Sequence, residues 1–332
     1  MALLEVRDLR TYFAQRKRTV RAVDGVSFDV NRGEVLGIVG ESGCGKSMTA
    51  LSVMGLIPTR GEIVSGSVKI DGRELVGADE TLLRQVRGNE ISMIFQDPIT
   101  SLNPTMKIGQ QIGEALKLHR SWGDKQVRER VIEVLNLVGF PSPRERIDEY
   151  PHQFSGGMRQ RAMIAMALAC EPKVLIADEP TTALDVTIQA QILGLLDQLR
   201  STLGMSIILI THDLGVVAGR ADRVVVMYAG QIVEEASADD LFYNRRHPYT
   251  EALLSAIPRL EGHGRSRLLN IPGLPPDLSQ PPLGCRFHPR CPRAQERCAQ
   301  EEPRLTSADT FDHQFACFYP MASGEALRGS AS

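Results

Sequence analysis

Residues 40 to 47 read Gly-Glu-Ser-Gly-Cys-Gly-Lys-Ser, and they constrain the fold more than any other stretch of the chain. A short apolar run, 35 to 39, leads into them and a helical pattern, 48 to 56, follows. That order is strand, GxxxxGK[ST] loop, helix. Glycines at 40, 43 and 45 let backbone N–H groups turn inward around phosphate oxygens. The next helix adds its positive N-terminal end. Lys46 is expected to reach the β- and γ-phosphates of a nucleotide, and the Ser47 hydroxyl to bind Mg²⁺. Ser42, Cys44 and Met48 complete the candidate phosphate site. Cys44 reads as a tolerated small residue rather than a nucleophile, although a helix N-terminus favours its thiolate. The bland alternative, a Gly-rich turn that binds nothing, is disfavoured by the flanking strand and helix.

A second motif lies downstream. Residues 174 to 179 read Val-Leu-Ile-Ala-Asp-Glu, an apolar strand ending in acid. This is the Walker B arrangement, in which Asp178 holds Mg²⁺ through water. Glu179 would then polarise an attacking water beside the γ-phosphate. The alternative is an ordinary acidic strand end, which the P-loop makes the weaker reading.

The pattern around these motifs gives the fold class. The runs LLEVRDL and VSFDV near the N-terminus alternate and predict antiparallel strands. Further strands are expected at 67 to 71, 91 to 95, 174 to 177, 207 to 210 and 224 to 227, with helices at 107 to 140, 156 to 169 and 187 to 203. Strands alternating with helices argue for an α/β domain on a largely parallel sheet.

The 332 residues suit one large domain or a domain plus an extension, and 42% hydrophobic content supplies a sizeable core. Ten of the 19 prolines lie from Pro258 onward, so a boundary is placed there. A formal charge of −2 gives no electrostatic case for nucleic acid. No apolar run approaches the roughly 18 to 20 residues that span a bilayer. Glu5 and Asp8 stand where a signal peptide would be apolar. A cytosolic chain is expected, with any membrane role borne by partner chains.

Four of the six cysteines, Cys285, Cys291, Cys298 and Cys317, stand as C-x5-C-x6-C-x18-C in the last 48 residues. Thiolates gathered so closely suit zinc or an iron–sulfur cluster, although the spacing lacks the paired CxxC of zinc ribbons. Disulfides are not expected in a reducing compartment. Arg286, His288, Arg290 and Arg293 crowd the same segment and read as a solvated or partner-facing surface. The alternative for His288 is that it substitutes for a cysteine as a ligand.

Residues 154 to 158, Phe-Ser-Gly-Gly-Met, followed by Arg159, Gln160 and Arg161, resemble the LSGGQ signature of ABC ATPases, with Phe154 in place of Leu. The resemblance covers about residues 3 to 255. It implies a P-loop NTPase of the ABC ATPase type: a parallel core sheet, an N-terminal antiparallel β subdomain and a helical subdomain at about 97–165. It makes Gln96 the Q-loop residue, contacting Mg²⁺ or water. Ala183-Leu184-Asp185 becomes the D-loop and His212 the switch histidine on the γ-phosphate. Phe13 or Tyr12 stacks on adenine, Phe13 fitting the family spacing better. In this family two domains sandwich two ATP molecules head to tail, so Ser155, Gly156, Gly157 and Met158 would act in trans.

Residues 247 to 257, the GLPPDL at 273 to 278 and the chain as a whole resemble the D-type ATPase of bacterial dipeptide and oligopeptide importers. That resemblance implies an ATPase of 1–257, a Cys-containing extension of 258–320 and a tail of 321–332. It implies di- or oligopeptide uptake, with nickel or glutathione import as the alternative. The partners expected are a second, related ATPase in a heterodimer, two transmembrane permeases and a substrate-binding protein acting through them, at the cytoplasmic face of the inner membrane. Several members of the group carry a [4Fe–4S] cluster, which favours a cluster on the four late cysteines over zinc or unligated thiols. A soluble ABC ATPase acting on ribosomes or DNA fits less well, since there is one cassette and no sustained heptad. A non-hydrolysing regulatory module conflicts with Glu179, His212 and the signature.

Overall fold

The computed structural model describes residues 2–15, 18–97, 101–182, 185–256, 271–307 and 312–322. They form two compact units, one built mainly from 77–210 and the other from 5–29, 35–76 and the chain from 211 onward.

The first unit is organised on three parallel strands, Ile91–Ile94, Val174–Asp178 and Ser206–Thr211. Ile91 pairs with Val174, and Val174 with Ser206. Each strand is short and buried along its whole length, as strands covered on both faces are. Three helices, Ile108–His119, Asp124–Leu137 and Gly156–Leu168, pack on one another. Ile108, Ile112 and Leu116 recur every fourth residue and are fully buried. Each contributes about 1.5–3 kcal/mol of burial. The stretch expected to be helical at 107 to 140 breaks into two helices, because Arg120 leaves the helix in an extended conformation and Gly123 opens the next. The long helix Val186–Leu203 starts on Asp185 and ends on Gly204 in the left-handed conformation.

The second unit carries a four-stranded sheet in the order Arg18–Asn31, Ala2–Gln15, Gly61–Ile70, Arg73–Glu74. The last two pair antiparallel. Val35–Val39 pairs in parallel with Arg223–Tyr228. A turn at Ala229 and Gly230 returns the chain as Gln231–Ser237, antiparallel to it. Gln314–Phe315 then pairs with Gln231–Ser237, and Thr306–Ser307 with Gln314–Phe315. The C-terminal segment thus adds short strands at the edge beyond Gln231–Ser237, in the same sheet as Val35–Val39, which leads into the P-loop. The helix after the P-loop runs Lys46–Val53, two residues earlier than expected, because Gly45 at φ 107° opens it directly. The expected boundary near 258 lies outside the described residues. Among the described residues no helix is long and apolar enough to cross a membrane.

Candidate functional site

The P-loop takes its shape from backbone that only glycine tolerates. Gly40 sits at φ 154°, Gly43 at 77° and Gly45 at 107°. A Cβ on Gly40 would lie 2.3 Å from the Met227 carbonyl oxygen, and one on Gly45 2.3 Å from that of Ala22. Lys46 is buried and donates from Nζ to the carbonyls of Gly40 at 2.7 Å and Glu41 at 3.0 Å. Its ammonium therefore lies along the loop rather than in solvent. Ser42 and Gly43 are exposed, and Ser47 and Met48 half-exposed. The N-cap of the helix Lys46–Val53 is Gly45, which has no side chain to close the first turn. Cys44 is buried, and burial pushes its thiol up. That disfavours the thiolate a nucleophile would need.

Asp178 ends its strand with only 4% exposure. Glu179 follows at φ 46°, left-handed for a residue with a side chain. Its N–H donates to Ile210 O at 2.9 Å. Its Oε2 accepts from Gln96 Nε2 at 2.9 Å and Thr182 Oγ1 at 2.8 Å. Sequence reading named Gln96 and Glu179 separately, and they meet here. Thr182 was missed, since no spacing or charge marks a threonine four residues after a strand.

Ser155 caps the helix Gly156–Leu168, accepting from Met158 N at 3.3 Å. Ser155 and Gly156 are exposed, and Gly157 and Met158 half-exposed. Phe154 is buried edge-on against Phe140 with ring centroids 5.2 Å apart. The departure from Leu is therefore taken up inside the unit. Gln160 Nε2 donates to Pro180 O at 2.6 Å, tying this helix to the turn after Glu179. Asp185 caps the helix Val186–Leu203 by accepting from Ile188 N at 2.9 Å. Ala183 and Leu184 lie outside the described residues. In the second unit His212 is exposed after the strand that ends at Thr211. Tyr12 is committed elsewhere: its hydroxyl donates to Asp24 at 2.6 Å and Arg21 lies over its ring. Phe13, its neighbour on the opposite side of the strand, is half-exposed against Gly61.

A family model described as ABC transporter matches residues 23–182. One described as oligopeptide/dipeptide transporter, C-terminal region, matches 233–298. The oligopeptide transport ATP-binding protein AppD of Bacillus subtilis is 53% identical over 91% of this chain and 92% of its own. The chain belongs to the ABC transporter ATP-binding proteins. The dipeptide transport ATP-binding protein DppD of Escherichia coli is 50% identical over 97% of this chain and 98% of its own. The OppD of Salmonella typhimurium, an oligopeptide transport ATP-binding protein, is 52% identical over 96% and 94%. Among solved structures, a dimeric ATP-binding cassette in a post-hydrolysis state bound to ADP and Pi aligns with a TM-score of 0.64. It is 26% identical and covers 71% of this chain and 98% of that one. The α/β P-loop fold of an ABC ATPase expected from sequence is the fold found.

The expectation of a [4Fe–4S] or zinc site in this ABC protein is overturned. Cys285, Cys291, Cys298 and Cys317 line one small cavity with Phe287 and Phe318. Yet no group of three or more His, Cys, Asp or Glu among the described residues is placed to hold a metal. The surroundings also oppose thiolates. Burial pushes the Cys285 thiol up to about 11 and Cys317 up to about 12, and raises Cys291 as well. His288 turns Nδ1 toward Cys285 O at 2.9 Å, and it belongs to no group of three or more such residues placed to hold a metal among the described residues.

The reading of Arg286 and Arg290 as surface is also corrected. Both are buried. Arg286 pairs with Asp24, which also takes Arg10 at 2.8 Å. Burial alone would raise the Asp24 carboxyl, but Tyr12, Arg286 and Arg10 together hold it below its ordinary value. Arg290 pairs with Glu41 of the P-loop.

Proposed function

We propose that the chain is the ATP-binding and ATP-hydrolysing subunit of a bacterial ABC importer for di- or oligopeptides. The observation that carries the hydrolytic part is the Glu179 carboxylate, held by Gln96 and Thr182 directly after the buried Asp178. Kinship with AppD, DppD and OppD carries the peptide part, because those relatives are named as peptide transport ATP-binding proteins.

In this reading Gly40, Ser42, Gly43, Cys44, Gly45 and Met48 wrap the phosphates with backbone. Lys46 neutralises their charge. Ser47, Asp178 and Gln96 would hold Mg²⁺; a hydroxyl, a carboxylate and an amide oxygen are the hard donors that ion takes. The ion supplies charge neutralisation at the β- and γ-phosphates. Glu179 orients and deprotonates the attacking water, and His212 contacts the γ-phosphate. Phe13 stacks on adenine, since the Tyr12 hydroxyl is tied to Asp24. Ser155, Gly156, Gly157 and Met158 serve the nucleotide of a second ATPase subunit, a related chain, with Asp185 at the same junction. Exposure of Ser155 and Gly156 at a capped helix start supports that role.

Transport needs two permeases, and a substrate-binding protein reached through them. The chain works peripherally at the cytoplasmic face of the inner membrane. We keep 1–257 as the ATPase domain and 258–320 as the extension, with 321–332 as a tail.

The test uses the complex assembled with its permeases. Glu179→Gln should lower ATP turnover by about 10²–10⁴-fold while ATP binding persists. Unchanged turnover would remove Glu179 from the chemistry. Peptide should stimulate the wild-type ATPase in the presence of the binding protein. Stimulation by nickel or glutathione alone would overturn the substrate.

A further inference from the structure

Glu41, the second residue of the P-loop, is a junction. Its N–H donates to Tyr249 Oη at 2.9 Å. Its carboxylate accepts from Arg290 Nη1 at 2.6 Å and Nη2 at 3.0 Å. Its carbonyl accepts from Lys46 Nζ at 3.0 Å. The Tyr249 and Arg290 contacts come from 208 and 249 positions along the chain, within the region matched by the peptide-transporter C-terminal family.

Both distant partners are themselves fixed. Arg290 has a side chain only 4% exposed. Its Nε donates to Pro272 O at 2.8 Å, Nη1 to Tyr228 Oη at 3.3 Å, and Nη2 to Ile271 O at 3.4 Å. Tyr249 is fully buried and meets Tyr228 edge-on, ring centroids 4.6 Å apart, with Phe287 at 5.3 Å. With the Arg290 guanidinium buried and the Glu41 side chain 23% exposed, this bidentate pair is more enclosed than a surface salt bridge, and removing one partner strands the other charge.

The position of that charge matters. Glu41 lies in a loop whose neighbours are expected to bind polyanionic phosphate, so an unpaired carboxylate there would repel the ligand. We propose that Arg290 and Tyr249 are positioning residues for the nucleotide site: they hold the P-loop through Glu41, place Lys46 and cancel the Glu41 charge. The proposal rests on the reading of Gly40–Ser47 as the ATP site.

The experiment measures binding of a fluorescent ATP analogue to the full chain, with ATPase KM and kcat in the assembled complex. Arg290→Gln should weaken analogue binding about tenfold and raise KM in step, with kcat within about twofold. Arg290→Lys keeps the charge but not the fork and should lose less. Adding Glu41→Gln to Arg290→Gln should recover part of the binding, because the stranded carboxylate is gone. A purely structural brace gives a double variant no better than the single. Wild-type binding by folded Arg290→Gln, or no recovery in the double, overturns the proposal. If thermal melts show that Arg290→Gln does not fold, Arg290→Lys decides: affinity equal to wild type overturns the proposal, and weakened affinity with kcat retained supports it. A wild-type chain that fails to bind the analogue refutes the ATP reading instead.

Discussion

Glu179 adopts φ 46°, a conformation that crowds its Cβ against the backbone and costs about 1–2 kcal/mol. Its backbone is held there by Ile210, and its carboxylate by Gln96 and Thr182. Thr182→Val keeps the shape and deletes one donor. ATP turnover in the assembled complex should fall about tenfold with little change in KM, and equal turnover would free Glu179 of that dependence. Gly40 makes the complementary case: with its Cβ position 2.3 Å from a carbonyl oxygen, Gly40→Ala should cost about 2–4 kcal/mol, read as a lowered urea midpoint. Gly40, Lys46, Asp178 and Glu179 were legible because each motif is contiguous in sequence. Arg286 and Arg290 were not, because an arginine-rich segment looks the same whether it faces water or carboxylates far away in the chain.

At the scale of elements, several of the proposed site residues lie at helix starts. Ser155 and Asp185 each cap a helix through a side-chain oxygen. Asp185→Ala should therefore cost about 1 kcal/mol in urea unfolding of the isolated chain, apart from any effect on the assembled pair. A stability unchanged by the substitution would show the cap to be dispensable. The apolar strands at 91, 174 and 206 were readable, since continuous burial leaves a continuous apolar run. The break at Arg120 to Gly123 was not, since amphipathic spacing resumes beyond it. The thiol cavity misled for a related reason: cysteines packed against Phe287 and Phe318 have the same spacing on paper as cysteines around a metal.

At the scale of the molecule, the C-terminal segment is bound in by buried polar groups that local sequence does not announce. Glu234 is fully buried and accepts from His313 Nε2 at 2.8 Å and from His247 N at 3.0 Å. His247 caps the helix Pro248–Ser255, and burial lowers its pKa from 6.5 to about 4. Between those values the unfolded chain takes up a proton that the folded chain refuses. The stability this provides at pH 7 is thus lost as pH falls from about 6.5 to about 4, up to about 3 kcal/mol. His247→Asn retains a capping oxygen and should flatten the fall in denaturation midpoint between pH 7 and pH 5. A slope identical to wild type would assign that fall to other groups.

The pair between Glu41 and Arg290 joins positions 249 residues apart. A ribosome adding about 5–20 residues per second needs on the order of 10–50 s to travel between them. The nascent protein therefore carries its phosphate loop for most of its synthesis with Arg290 still unmade. Its grip on nucleotide would mature only as the end of the message is read, so a chain cut short by a stalled ribosome would emerge with the motif intact and the hold on ATP weak.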